Sequence, residues 1–546
     1  MPNVPASKHP GRHGDTGSSV GLMRSRGNAR PDRSRLVGRW LAPTTSVVLL
    51  GVGLLVGCAP TGVRPAPGGD FADAAWLERL TYGVNGSTLA DYGRLGRASF
   101  LELALGQRPT PLPAAVAAEI EALEITHADP VKLLADVNVE YKRINSLTDG
   151  PDKEQARKIL NDRGNQLAYE AARRHVLRAV YSPAQLQEQL VWFWLNQFSV
   201  FQSKANLRWI IGDYEEHAIR PHVLGHFREL VLATLRHPAM LQYLDNAQNA
   251  AGHINENYAR ELMELHTLGV DAGYQQQDVQ ALARILTGVG VNAGPAPNLK
   301  PEWHSLYIRD GAFEFNPARH DFSTKQFLRH TIKGEGFREV EEAVDLIVRQ
   351  PACARFVSRR LAEYFVSDNP PGPLVERMAA AFTASDGDIA AVMRTLIGAP
   401  EFAAAHGAKF NDPMHYVVSA VRLAYDGRVI LNTHPIVNWL NGLGEPLYGR
   451  QTPDGYPLGE FGWASSGQVS RRFEIAKTIS SGSGGLFDPE DGSHPSTGGF
   501  PQLASRVYYQ AIEPKLSTRT RAALAQATSQ TEWNTFLLAS PEFNYR

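Results

Sequence analysis

The sequence predicts an all-α protein: one large multi-helix domain or two helical lobes, with at most one small β-hairpin near residues 303–315. Two observations lead there. Apolar residues recur at helical spacing through most of residues 71–546, and Pro often stands where a helix would begin. Strand signals are few. The clearest is Asp310-Gly311 in "WHSLYIRDGAFEFN", a tight-turn dipeptide between two short aromatic runs.

Taken from its start, the chain opens with a leader. Residues 1–40 are rich in Arg, Gly, Ser and Pro, and an apolar run from Val47 then ends at Cys58. That run is shorter than the roughly 20 residues a bilayer span takes. A basic stretch followed by a short apolar stretch predicts a secretory signal peptide over 1–57. Leu55, Val56, Gly57 and Cys58 are similar to the lipobox of bacterial lipoproteins, which implies lipid on Cys58 and anchoring to a membrane. Ala59 in the next position resembles outer-membrane sorting. Met23 gives a leader of more usual length than Met1 does. Residues 58–70, rich in Pro and Gly, read as a tether. Cys353 is the one other cysteine, so a lipidated Cys58 leaves no intramolecular disulfide, and stability must come from a core. The net charge of −1 gives no basic footprint for nucleic acid.

The helical domain follows over 71–546, with lobes 71–290 and 335–546 on either side of the hairpin region. "DAAWLERLTYG" carries Ala74, Leu77, Leu80 and Tyr82 near helical spacing, and "PAAVAAEIEALE" starts with Pro at a helix N-terminus. The segment "PAQLQEQLVWFWLNQFSVFQ" has aromatics on all sides, which predicts a helix buried all round. "IGAPEF" and "LASPEF" each end an apolar helix where Pro starts another. Residues 441–467 read as a Gly- and Pro-rich loop.

The stretch "NENYARELMELHTLGVD", residues 255–271, carries the most chemistry. At about 100° per residue, Glu256, Asn257, Arg260, Glu261 and Glu264 share one arc, and Tyr258, Leu262 and Leu265 lie opposite. Arg260 is four residues from both Glu256 and Glu264, the spacing of helix ion pairs. Gly269 stands where a C-cap is expected. His266 falls at the edge of the apolar face and cannot meet Glu261 within the helix, so a site must recruit groups from elsewhere. Upstream, "LDNAQNAAGHINEN" offers Asp245, Asn246 and Asn255, side-chain oxygens of the kind a divalent cation takes. Downstream, "NPARHDFSTK" places His320 beside Asp321 on a loop, where a carboxylate can orient an imidazole. The expected catalytic residues are Glu261, Glu264, His320 and Asp321. Asn257, Arg260, His266 and Trp463 are the expected binding residues, and Asp245 and Asn246 the expected metal ligands.

"HPAMLQYLDN", "NENYARELMELHTLGVDAGYQQQDVQALARILTG", "FEFNPARHD", "ARFVSRRLAEYFVSDNPP" and "PDGYP" together resemble the bacterial family called domain of unknown function 1800, over about residues 72–546. The resemblance implies a mostly helical exported protein and implies no activity. Members often lie beside genes for a sulfatase-like family, domain of unknown function 1501, which implies a shared pathway at the cell surface. Where members often read Phe-Trp-His-Asn-His, this chain has Phe193, Trp194, Leu195, Asn196 and Gln197, so two imidazoles are missing. Gln275 stands where members tend to have Thr, and Gln caps a helix less well than Thr.

Two functions remain open on the sequence. One is an extracytoplasmic enzyme with a carboxylate and His site, a divalent cation being the cofactor its oxygens suit. The other is a lipid-anchored, non-catalytic binding or assembly protein, with Tyr448, Tyr456, Phe461 and Trp463 as its contact surface.

Overall fold

A computed structural model describes residues 70–546 except 107–109, 491 and 494–498. The leader, Cys58 and the tether up to residue 69 lie outside the described residues.

Helices dominate because their start and stop signals agree with their apolar stripes. The longest, Pro151–Tyr181, begins with Pro at its first turn, carries Asp152 and Glu154 there, and has Arg178 in its last turn. Both charge placements complement the helix dipole. Its first half is largely exposed, and its second half, from Leu167 to Val180, is buried nearly all round. The next helix, Gln185–Gln197, is the aromatic segment, and it is buried on every face as the sequence predicts. Trp194 packs against Phe193, Phe198 and Phe227, which centres the core on this helix. The Pro413–Ala424 helix packs on Pro151–Tyr181, so early and late parts of the chain share that core. The described residues from 70 onward form one compact unit. The two Pro-Glu-Phe copies do restart helices: Ile389–Ile397 is followed by Pro400–Ala404, and Gln530–Leu538 by Pro541–Asn544.

The all-α class holds, and strands add more than one hairpin to it. β1 (Val289–Val291), β2 (Ile308–Asp310) and β3 (Phe313–Phe315) form an antiparallel sheet in the order β1-β3-β2. The β2–β3 turn is the expected one: Asp310 pairs with Phe313, and Gly311 has φ +55°. β1 adds a strand on the other side of β3, with Val289 opposite Phe315. A second hairpin joins β4 (Lys325–Phe327) to β5 (His330–Ile332). Its tip is Leu328-Arg329, both at positive φ (47° and 67°), a conformation that ordinarily calls for Gly or Asn. No turn residue marks it in the sequence. Long-range bonding holds it instead, since Asp278 Oδ1 accepts from the Leu328 amide at 2.8 Å. The other oxygen of Asp278 accepts from the Gln275 amide at 2.8 Å, so the Gln276–Ile285 helix keeps this half of the cap without Thr at 275.

Candidate functional site

The helix of the 255–271 stretch is regular only over Asn257–Glu261; a π-turn follows over Leu262–Thr267. Thr267 Oγ1 donates back to the Leu262 carbonyl at 2.6 Å, and the Leu268 amide donates to the Met263 carbonyl. Such one-residue expansions recur at functional sites. The constant angular step assumed for the sequence therefore fails beyond Leu262. His266 lies fully buried, its ring 5.1 Å from that of Phe198. Both its nitrogens lack a partner at hydrogen-bonding geometry, and the Pro453 carbonyl is the polar group that approaches it. Burial lowers its pKa to about 4. His266 is thus a core residue, not an exposed binding group.

The polar face of the same helix is half-buried. Arg260 bridges Glu256 at 3.0 Å and Glu264 at 3.3 Å, and also meets Gln276. Glu261 makes no ion pair of its own among the described residues. The loop containing "PDGYP" lies beside this helix, its Asp454 acting on Glu261 and its Pro453 carbonyl approaching His266. Asn196, at the end of the aromatic helix, accepts from the Tyr456 amide at 2.5 Å and donates to the Tyr456 carbonyl at 3.0 Å. Gly455, at φ +73°, approaches so closely that a Cβ there would lie 2.3 Å from the Asn196 carbonyl oxygen. Only glycine fits. The next residue, Gln197, donates to the Leu265 carbonyl at 2.6 Å and accepts from Arg360 Nε at 3.1 Å. Four segments singled out in the sequence therefore meet: the aromatic helix, the Glu261 helix, the Arg360 helix (Pro351–Phe365) and the Asp454 loop.

Their surroundings shift the two carboxyls Glu261 and Asp454 in opposite directions. Partial burial lifts the Glu261 carboxyl above its ordinary range; Glu264 and Asp454 add to the lift and Arg260 opposes it. Burial pushes Asp454 up as well, but the Arg450 guanidinium and the Thr452 hydroxyl more than offset this and hold it below the ordinary range. Arg450 reaches both Asp454 oxygens, at 2.7–3.1 Å. Tyr243 feels both carboxylates and donates to the Gln451 carbonyl. Two neighbouring carboxyls whose surroundings push them in opposite directions suit an acid and base pair. Asp454, Arg450, Arg360 and Gln197 were not expected in the site. The signal available for Asp454 was the Asp-Gly pair in "PDGYP", which read only as a loop.

The remaining expected residues lie in structural networks. His320 is buried with Nδ1 2.7 Å from the Thr287 carbonyl and Nε2 2.8 Å from Glu339 Oε1. Lys325 pairs with the other Glu339 oxygen. Burial raises Glu339, and His320 and Lys325 outweigh it and hold the carboxyl below its ordinary range. Asp321 pairs with Arg284 at 2.8 Å and accepts from Ser323. No contact joins His320 or Asp321 to Glu261. Asn246 is buried, its amide donating to the Leu286 and Val289 carbonyls and its oxygen accepting from Asn249. Asp245, at φ +62°, pairs with Lys204 at 2.8 Å. These oxygens hold the chain and its cations, and among the described residues no group of three His, Cys, Asp or Glu is placed to hold a metal ion. Asn257 donates to the Leu244 carbonyl. In the aromatic loop, Tyr448, Tyr456 and Trp463 face inward: Tyr448 donates to Glu215 and Trp463 to the Pro457 carbonyl. Phe461 alone of the four is exposed.

The model of a family described as "protein of unknown function (DUF1800)" matches residues 75–545. The chain belongs to this family. No curated protein and no solved structure matches it. The convergent cluster is therefore built from segments that all lie within the DUF1800 match.

His266 gives the site a measurable acid response. Its ordinary pKa of 6.5 falls to about 4 in the folded protein. Between those values the unfolded chain binds a proton that the folded chain does not, so stability falls as pH drops through that window. The full loss is on the order of 3 kcal/mol. His266→Phe is expected to lose less stability than the parent between pH 7 and 4.5 in urea titrations. Equal losses in both proteins would remove His266 from this account.

Proposed function

We propose that this DUF1800 protein is a lipid-anchored enzyme of the cell envelope that works by acid and base catalysis at the Glu261–Asp454 cluster. The observation that carries the proposal is the convergence of the Glu261 helix, the Asp454 loop and Arg360 on the end of the aromatic helix, in a half-buried site where Glu261 is pushed up and Asp454 held down. Glu261 donates a proton to a leaving oxygen. Asp454 accepts one from an attacking water as the C–O bond to the leaving group breaks and a new C–O bond forms. Arg260 and Arg360 flank the pair and orient the substrate. The chemistry suits acetal bonds, whose hydrolysis pairs a carboxylic acid with a carboxylate, and ester bonds, where the same acid and base can assist an attacking water. The docking alternative has Phe461 as its one exposed loop aromatic, which is too little for a contact surface.

The anchoring part of the proposal rests on the sequence around Cys58. Mass spectrometry of the native N-terminus should find a lipid-modified Cys58 as the first residue. An unmodified cysteine, or retained residues before it, contradicts anchoring.

Para-nitrophenyl glycosides and esters are suitable first substrates for the catalytic part. Glu261→Gln and Asp454→Asn should each lower turnover by roughly 10²–10⁴ while leaving helix content unchanged. The signs of the pH profile separate the roles. Activity should fall at high pH as Glu261 loses its proton and at low pH as Asp454 gains one. Glu261→Gln should abolish the high-pH limb and Asp454→Asn the low-pH limb. Full activity in both variants, on a substrate the parent turns over, contradicts the assignment.

A further inference from the structure

A cleft of about 330 Å³ opens between the helix ends around Asp213 and Arg236 and the tip of the β2–β3 hairpin. None of Glu261, Asp454, Arg360 or Gln197 lines it. Its volume is at the lower end of those that enclose small ligands.

Donors on its wall are engaged with the protein. The Ala239 amide donates to His237 Nδ1 at 3.1 Å, so His237 carries its hydrogen on Nε2 and gives it to Asp213 Oδ2 at 2.8 Å. The Val131 amide donates to the helix cap Asp129 at 2.8 Å. The Arg236 guanidinium lies over the Phe337 ring at 4.7 Å, with Nε buried and Nη2 paired to Glu341 at 3.1 Å. Glu341 does not line the cleft, so it matches the arginine charge from outside.

Acceptors, in contrast, are left over. His217, one helical turn after Asp213, has Nδ1 2.6 Å from Asp213 Oδ1. With its hydrogen on Nδ1, His217 keeps a bare lone pair on Nε2, on a ring that is 71% exposed. Burial pushes Asp213 up, yet the two histidines outweigh it and hold its carboxyl below the ordinary range. Asp310, at the end of β2, is exposed, and its carboxylate has no ion pair or hydrogen bond among the described residues. The helix Phe227–Arg236 ends at the cleft, and a helix C-terminus presents the negative end of its dipole. Two carboxylates, a bare imidazole nitrogen and a helix C-terminus favour a positively charged ligand that donates hydrogen bonds. Val131, Leu134 and Phe313 supply apolar walls beside them.

We propose that this cleft binds a primary ammonium ion carried on a compact apolar body. The ammonium pairs with the Asp310 carboxylate, and the body lies against Val131, Leu134 and Phe313. His217 Nε2 favours a donor over an acceptor on the ligand. Asp310 is thus both the turn residue that the sequence marks and the counter-ion of the cleft.

Isothermal titration of the full-length protein tests this at about pH 8, where a free imidazole is neutral and an alkylamine is protonated. The probes are phenethylamine, the neutral phenethyl alcohol and the anionic phenylacetate. Phenethylamine should bind one to one, about tenfold or more tightly than the other two, and should shift the imidazole nitrogen signals of His217. Asp310→Asn removes the charge and keeps the turn, because Asn-Gly suits a tight hairpin as well as Asp-Gly does. It should weaken phenethylamine about tenfold or more and leave phenethyl alcohol unchanged. Ala233→Leu, which fills the cleft from a partly exposed helix position, should abolish binding. The proposal is overturned if phenethylamine does not saturate the parent protein, or if phenethyl alcohol or phenylacetate binds as tightly. Undiminished binding of phenethylamine to Asp310→Asn or to Ala233→Leu overturns it as well.

Discussion

The close approach of Gly455 to Asn196 is the contact on which the central site depends. Asn196 meets both backbone groups of Tyr456 through its side-chain amide, so the loop docks as if it were an added strand end. No side chain fits at 455, because its Cβ would lie 2.3 Å from a carbonyl oxygen. That contact sets Asp454 beside the Glu261 face and brings the Pro453 carbonyl toward His266. A loop left undocked would leave Glu261 to water and Arg260, without Asp454 beside it.

The platform for this contact is the Gln185–Gln197 helix. Because it is buried on every face, its C-terminal residues cannot shift without disturbing Trp194, Phe198 and Phe227. Asn196 and Gln197 extend polar side chains from that rigid core in two directions, one to the loop and one to Leu265 and Arg360. Rigid support of this kind is what a catalytic constellation needs. Gln197 bridges two elements, and Leu195 lines a small cavity of about 20 Å³ beside Trp192 and Tyr456.

The helical class, the buried aromatic helix and the Asp310-Gly311 turn were legible because each is written locally, in periodicity or in a turn residue. The Arg260 ion pairs were legible for the same reason. What failed was long-range. The β4–β5 hairpin has Leu328-Arg329 at its tip and is held by Asp278, which lies 50 residues earlier. His320 looked like a free loop histidine, but its partner Glu339 lies on a later helix and Lys325 on the intervening strand. Trp463 and Tyr456 looked like a contact surface because loops usually face water, and they fold inward instead. The π-turn at Leu262 has no sequence mark and displaces His266 from its expected place. Within the site, Glu261, Glu264 and Arg260 could be found from spacing, whereas Asp454 and Arg360 could be found only from the fold.

Direct titration of the carboxyl groups in the full-length protein is the most telling measurement. Carbon-13 spectra of the Glu and Asp side chains, assigned through Glu261→Gln and Asp454→Asn, report each group separately. The account predicts a Glu261 midpoint above the ordinary carboxylate range and an Asp454 midpoint below it, with each midpoint moving when the other residue is replaced. Two ordinary midpoints, each indifferent to the other substitution, would contradict the central claim that these segments form one coupled acid and base site.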